Sequence, residues 1–191
     1  VGQVVERIRE GALVAFPTDS GYALGGRLDD QAIKDRIRDI RRLDDKHHYT
    51  LLCADFAQLG QLVHVDNSVF RAIKAATPGP YTFILPATKE TPRRLWHPSR
   101  RTIGLRVPDS RIALGVLEAL GEPVLCTSLI LPGETDPLHE ADEIIERVGK
   151  QLDAVIDAGG QGFEPTTIVD MTGPEPVVVR AGRGSTERIA A

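Results

Sequence analysis

The chain has 191 residues, 41% of them hydrophobic and 26% charged, with a formal net charge of −4. That apolar share suits one domain with a substantial core, and the negative balance argues against a protein held on nucleic acid by charge alone. No stretch approaches the roughly 18 uninterrupted apolar residues of a membrane span, and the amino end lacks the charged-then-apolar order of a secretion signal. A single cytoplasmic domain over residues 1–191 is therefore expected, with room for a short leading segment because the chain starts at Val1 rather than Met.

Residues 4–8 have helical spacing, and Gly11 ends that helix. Residues 13–16 are an apolar run that reads as a buried strand, which Pro17 is expected to stop. The stretch that follows, Thr18-Asp19-Ser20-Gly21-Tyr22-Ala23-Leu24-Gly25-Gly26, reads as a loop at a strand's carboxyl end, where open α/β sheets bind ligands. Thr18, Ser20 and Tyr22 supply its polar side chains, and its glycines would let the backbone approach a bound group. An ordinary glycine-rich turn fits this stretch equally well.

Asp29 or Asp30 can cap a helix that turns Ile33, Ile37 and Ile40 toward a core and Lys34, Arg38 and Arg41 or Arg42 toward the opposite face. On the helix itself those cations read as a solvated face. Past Ile40, Arg41, Arg42 and Lys46 flank the entry to a strand over 49–53, and three cations there suit a triphosphate. His47 and His48 are adjacent and would point apart on a strand, so they make no two-ligand metal site by themselves. Helices are expected over 56–63 and 69–76, strands over 81–86 and 102–107, and a helix over 112–120 after the Asp109-Ser110 cap signal. A strand over 124–127, a helix over 141–152 and strands over 154–156, 167–169 and 176–180 complete the chain. A second basic cluster comprises Arg93, Arg94, His97, Arg100, Arg101 and Arg106. This mixture argues an α/β or α+β fold around a twisted mixed sheet. Cys53 and Cys126 stand alone inside apolar runs, which fits core thiols in a reducing compartment and no structural zinc.

Seven segments carry a resemblance: Pro17-Thr18 after the first strand, residues 39–53, Thr77-Pro78-Gly79-Pro80-Tyr81-Thr82, Ile103-Gly104-Leu105-Arg106-Val107-Pro108, residues 126–133, residues 165–170, and Val179-Arg180-Ala181-Gly182. Their order over about residues 10 to 185 resembles the YrdC/YciO family, nearest the YciO branch through Lys46-His47-His48 and Leu131-Pro132-Gly133. The resemblance implies a single YrdC-like domain with a large concave basic face. It implies a threonylcarbamoyl-AMP synthase-like nucleotidyltransferase that takes L-threonine, bicarbonate or CO2 and Mg²⁺-ATP, releases pyrophosphate, and serves threonylcarbamoyladenosine modification of tRNA. On that reading Thr18, Ser20 and Tyr22 position threonine, Thr82 and Ser128 the carbamate or adenylate, and Arg41, Arg42, Lys46, Arg106 and Arg180 the phosphates. No side chain is assigned as a catalytic nucleophile or a metal ligand, since aligning two anions needs cations and amides above all.

The chain departs from the synthase pattern twice. Its Lys-x-Arg signature is not cleanly present, and its Ser-x-Asn signature survives only at Ser128, with Ile130 in place of the asparagine. A weakened or diverged enzyme is expected, or else a protein that holds double-stranded RNA or tRNA by phosphate contacts without synthase activity. Clustered cations favour a nucleotide pocket over an extended RNA surface.

Overall fold

The computed structural model describes residues 1–191 except 45, 60, 61, 159–161, 163 and 191. The first turns of chain form helix α1 (Gly2–Arg9), strand β1 (Val14–Thr18) and strand β2 (Gly21–Arg27), the two strands closing an antiparallel hairpin. Then come α2 (Gln31–Arg41), β3 (Thr50–Leu52), the single turn α3 (Phe56–Leu59), α4 (Asn67–Ala76), β4 (Tyr81–Pro86), β5 (Thr102–Arg106), α5 (Arg111–Leu120) and β6 (Val124–Ser128). The chain finishes with α6 (Ala141–Val148), β7 (Ala154–Val155), β8 (Thr167–Asp170), β9 (Val177–Arg180) and α7 (Glu187–Ala190). Side-chain caps set several helix starts: Asp30 accepts from the Ala32 amide, Asp66 from Val69 and Ser110 from Ala113.

Among the described residues nine strands join one mixed sheet in the order β7-β1-β2-β6-β3-β5-β4-β8-β9. Apolar side chains alternate across it, as strand pleating requires. One face presents Leu13, Ala15, Leu24, Leu51, Phe83, Leu105 and Leu125, which pack with Ile33, Ile37 and Ile40 of α2, Ile73 of α4 and Ile144 of α6. The opposite face presents Val14, Phe16, Ala23, Leu52, Val124 and Cys126, covered by Val5 and Ile8 of α1 and by Ala113, Val116 and Leu117 of α5. Those two helices cover only the β1-β2-β6 side of that face. Beyond them the same face continues over β3, β5, β4 and β8 through Thr50, Gly104, Ile84, Thr82 and Ile168, which the strand register places side by side.

Two expectations from the sequence change here. Pro17 does not stop β1 but lies inside it, opposite Tyr22. The carbonyls of Leu13 and Ala15 accept from Asp153 and Ile156 on the β7 side, so alternation turns Pro17 to that same edge, past the end of two-residue β7, where no ladder donor is needed. The glycine-rich stretch is strand β2 rather than a loop. Its glycines make room for protein: a Cβ on Gly25 would lie 2.6 Å from the Phe16 ring, and one on Gly26 2.9 Å from Ile33. Only Gly21 needs a positive φ, of 76°, at the hairpin turn.

Candidate functional site

The uncovered part of the sheet is the floor of a groove of about 380 Å³. Its walls come from the α2-to-β3 connection (Arg41, Lys46, His47, His48), the end of β6 (Thr127, Ser128, Ile130) and the β8–β9 edge (Thr166, Val179, Arg180). Gly104 keeps the floor flat, since a Cβ there would stand 2.8 Å from Thr50 Oγ1 and 3.2 Å from the Tyr49 carbonyl.

Arg41 is the last residue of α2, and it reaches over the end of β6. Its Nε donates to the Ile130 carbonyl at 3.0 Å and its Nη1 donates to Thr127 Oγ1. Arg180, at the end of β9, donates from Nε and Nη2 to the Thr166 carbonyl at 3.0 and 2.8 Å, and the Thr166 hydroxyl lies 2.8 Å from that of Thr82. Among the described residues neither guanidinium has a carboxylate in salt-bridge range, and nor does Lys46. Burial first, and then repulsion from Arg180, lower the Arg41 pKa to about 10, and burial lowers that of Arg180 as well. Two partly buried cations beside five hydroxyl side chains give the groove the charge and donor set that suit an anion.

His47 and His48 precede β3 rather than lying on it, and both line the groove. His47 Nε2 is 3.4 Å from Thr127 Oγ1 and its ring meets Tyr49 edge-on, while His48 Nε2 is 2.8 Å from Thr102 Oγ1 and its ring stacks on His97 at 4.5 Å. Burial is the main cause that brings each pKa down to about 4, joined by Arg41 for His47 and by His97 for His48. Both imidazoles are thus neutral near pH 7. Among the described residues no group of three or more His, Cys, Asp or Glu could hold a metal ion.

Of the residues singled out in the sequence, the groove gathers Arg41, Lys46, Thr82, Ser128 and Arg180. The other five lie elsewhere. Arg42 takes the left-handed cap position of α2, with φ 53°, and it is exposed and not among the residues that line the groove. Arg106 is 3% exposed and paired with Asp19, and it also donates to Thr18 Oγ1. The Thr18 hydroxyl donates to the Gly21 carbonyl and accepts from the Ser20 amide. Ser20 Oγ donates to the Glu164 carbonyl, and the Tyr22 hydroxyl donates to the Ile156 carbonyl and accepts from the Ala158 amide. Thr18, Ser20 and Tyr22 are each at most 1% exposed, so their polar atoms knit the hairpin to the chain around it. Conversely Thr50, Thr127, Thr166, Ile84 and Ile168 line the groove without being marked as site residues in the sequence, and His47, marked there only as half of a pair unsuited to a metal, lines it too. For Thr50, Ile84 and Ile168 the signal is register, because they become neighbours only once β3, β5, β4 and β8 are known to be adjacent.

Known proteins resemble this chain in sequence and fold. The Sua5/YciO/YrdC family model, described by the phrase telomere recombination, matches residues 6–182. The chain is 50% identical over 184 residues to the uncharacterized protein YciO of Escherichia coli K12, covering 96% of this chain and 89% of that one. It superposes on the crystal structure of E. coli YciO with a TM-score of 0.94, covering 98% of this chain and 91% of the other. It is 32% identical over 179 residues to a threonylcarbamoyl-AMP synthase of Pyrococcus abyssi, spanning 92% of this chain and about half, 52%, of that protein. The structure of P. abyssi Sua5 complexed with L-threonine superposes with a TM-score of 0.85 at 29% identity, covering 94% of this chain and 53% of that one.

Proposed function

Because the chain belongs to the Sua5/YciO/YrdC family, we propose that its groove binds Mg²⁺-ATP and L-threonine and that the protein forms a threonylcarbamoyl-adenylate, at a reduced or diverged rate. The observation that carries this reading is the pair Arg41 and Arg180, which face one groove from separate elements and lack any carboxylate partner among the described residues. A triphosphate supplies the missing charge. Lys46 adds a third cation lining the groove, and the Thr82–Thr166 hydroxyl pair, which keeps one hydrogen beyond its mutual bond, and the Ser128 hydroxyl offer donors to carbamate or phosphate oxygens. Binding of L-threonine by the Sua5 relative supports an amino acid as co-substrate.

The chemistry asks little of a nucleophilic side chain. The threonine amine, in its free-base form, adds to the carbon of bicarbonate with loss of water and gives a carbamate. One carbamate oxygen then attacks the α-phosphorus of ATP, the bond to the bridging oxygen breaks, and pyrophosphate leaves with that electron pair. Both reactants are anions, so the contribution of Arg41, Arg180 and Lys46 is to hold them in line and offset the charge that accumulates on the leaving pyrophosphate. Magnesium enters with the nucleotide as its counter-ion. The threonylcarbamoyl-adenylate would then pass its threonylcarbamoyl group to an adenosine amine in RNA, the bond to the phosphate oxygen breaking so that AMP and a proton are released, with RNA downstream of the groove.

Incubating the protein with ATP, Mg²⁺, bicarbonate and single amino acids, with pyrophosphate and adenylate followed, tests the reading. Threonine-dependent pyrophosphate release that disappears in Arg180→Ala is expected. Pyrophosphate release equal with and without threonine, or none with any amino acid, would overturn the synthase assignment.

A further inference from the structure

Resting on the reading that the groove holds a polyphosphate, we propose that His47 contacts the bound anion and that binding draws a proton from solvent onto its imidazole. His47 would then be the residue that makes polyphosphate affinity depend on pH.

The argument starts from hydrogen-bond direction. Thr127 Oγ1 receives a bond from the Arg41 guanidinium, which can only donate, so the Thr127 hydroxyl hydrogen is free to point to His47 Nε2. In that arrangement Nε2 accepts and Nδ1 carries the ring hydrogen. Nδ1 has no hydrogen-bond partner among the described residues, and it is not sealed from solvent, since the buried unpaired side-chain atoms found there are Arg94 Nε and Arg106 Nε. A donor thus stands available on a groove-lining ring.

The charges facing His47 set the direction of its response. Burial is the largest influence against protonation of His47, followed by Arg41 from α2 and the neighbouring His48, while Asp44 in the same connection favours it. Lys46 precedes it in the chain, Arg180 lies across the groove, and Tyr49 and Thr127 supply the remaining contacts. The guanidinium of Arg41, the charge that most opposes protonation of His47, is one that a polyphosphate would neutralise. Burial persists in the complex, but filling the groove offsets the Arg41 charge and places an anion against the ring, which raises the tendency of the imidazole to hold a proton. By linkage, uptake of one proton on binding makes affinity rise as pH falls, by at most about tenfold per pH unit.

Titration calorimetry of the full chain with inorganic pyrophosphate, in two buffers of different ionisation heat between about pH 5 and pH 7, reads proton uptake and affinity together. Pyrophosphate has its own protonation in this range, and comparison with His47→Gln cancels it. Wild type should take up close to one proton more than His47→Gln at the acid end and gain about tenfold more affinity across the range. Equal uptake by the two proteins, with pyrophosphate bound by both, would overturn the role of His47 and leave the polyphosphate groove standing. No pyrophosphate binding at any pH would overturn the groove reading and this inference together. If His47→Gln does not fold, proton NMR of the His47 ring in wild type decides: its titration midpoint should rise when pyrophosphate is added, and an unmoved midpoint would sink the idea.

Discussion

Asp19 and Arg106 form an ion pair with almost no solvent at either end: the Arg106 side chain is 4% exposed and that of Asp19 9%. Asp19 sits at the tip of the β1–β2 hairpin and Arg106 ends β5, so the pair ties strand elements from separate parts of the sheet, and the other Asp19 oxygen accepts from the Asp109 amide at 3.0 Å. Removing one partner leaves a buried charge uncompensated. Asp19→Ala should cost about 3–5 kcal/mol in urea unfolding, and Asp19→Ala with Arg106→Met should recover a good part of that loss. Additive losses in the double variant would show that the two residues do not act as a pair.

In the groove, Arg180→Ala and Arg41→Ala should each weaken ATP binding by about 1.5–3 kcal/mol, the scale of a charge-assisted hydrogen bond, or roughly tenfold to a hundredfold in Kd. Lys46→Ala should weaken it less, because its ammonium is exposed. Arg42→Ala should leave the affinity unchanged, as Arg42 is exposed and is not among the residues that line the groove. Calorimetric titration with ATP checks all four, and equal effects of Arg42→Ala and Arg41→Ala would refute the geometry.

Ile130 lines the groove and is half-buried rather than sealed in the core. An asparagine there can reach solvent or ligand, so Ile130→Asn should change the thermal midpoint little. It should raise threonine-dependent pyrophosphate release by at most about tenfold, the worth of one recovered hydrogen bond. A midpoint lowered by many degrees with no added release would show that Ile130 serves packing instead.

The two groove histidines give stability a distinct pH dependence. Each is held down to about 4 in the folded chain against an ordinary value of 6.5. Between those limits the unfolded chain binds protons that the folded chain refuses, so stability falls as pH drops from about 6.5 to 4 and is fully present above 6.5. For the better buried His47 the loss reaches up to about 3 kcal/mol at the acid end. Asp153 and Asp170 have folded pKa values below 3.8, so the stability they contribute is lost only at lower pH, outside this window. Urea unfolding at a series of pH values should show this slope in wild type and a shallower one in His47→Gln.

The Gly25 contact offers a packing test free of the site. A Cβ there meets the Phe16 ring edge at 2.6 Å, with the Leu125 carbonyl at 3.3 Å. Gly25→Ala should cost about 1–3 kcal/mol, and Phe16→Leu in the same chain should reduce the added penalty of the alanine. A neutral Gly25→Ala, measured by thermal unfolding, would show that the hairpin yields freely.

The sequence by itself determined most of the elements, because helix caps, apolar spacing and turn residues are local signals. Of the two candidates Asp29 and Asp30 it is Asp30 that caps α2, Ser110 caps α5 as expected, and β4 spans the apolar run expected over 81–86. It also determined that Cys53 and Cys126 are buried free thiols, from their apolar neighbours alone. Arg41, Lys46, Thr82, Ser128 and Arg180, singled out by charge clustering or by motif, all line the groove. Tertiary structure decided what those signals left open. Thr18, Ser20 and Tyr22 look like ligand-facing groups in a loop, yet strand pairing turns the loop into β2 and spends their polar atoms on carbonyls and amides far along the chain. Arg106 reads as a free cation until the hairpin brings Asp19 to it. His47 and Thr127 are eighty residues apart, and nothing local to either reports that α2 delivers Arg41 between them. Local sequence records conformational preference, whereas a groove on an uncovered half-sheet depends on which strands are adjacent and where α1 and α5 stop, and long-range pairing alone sets both.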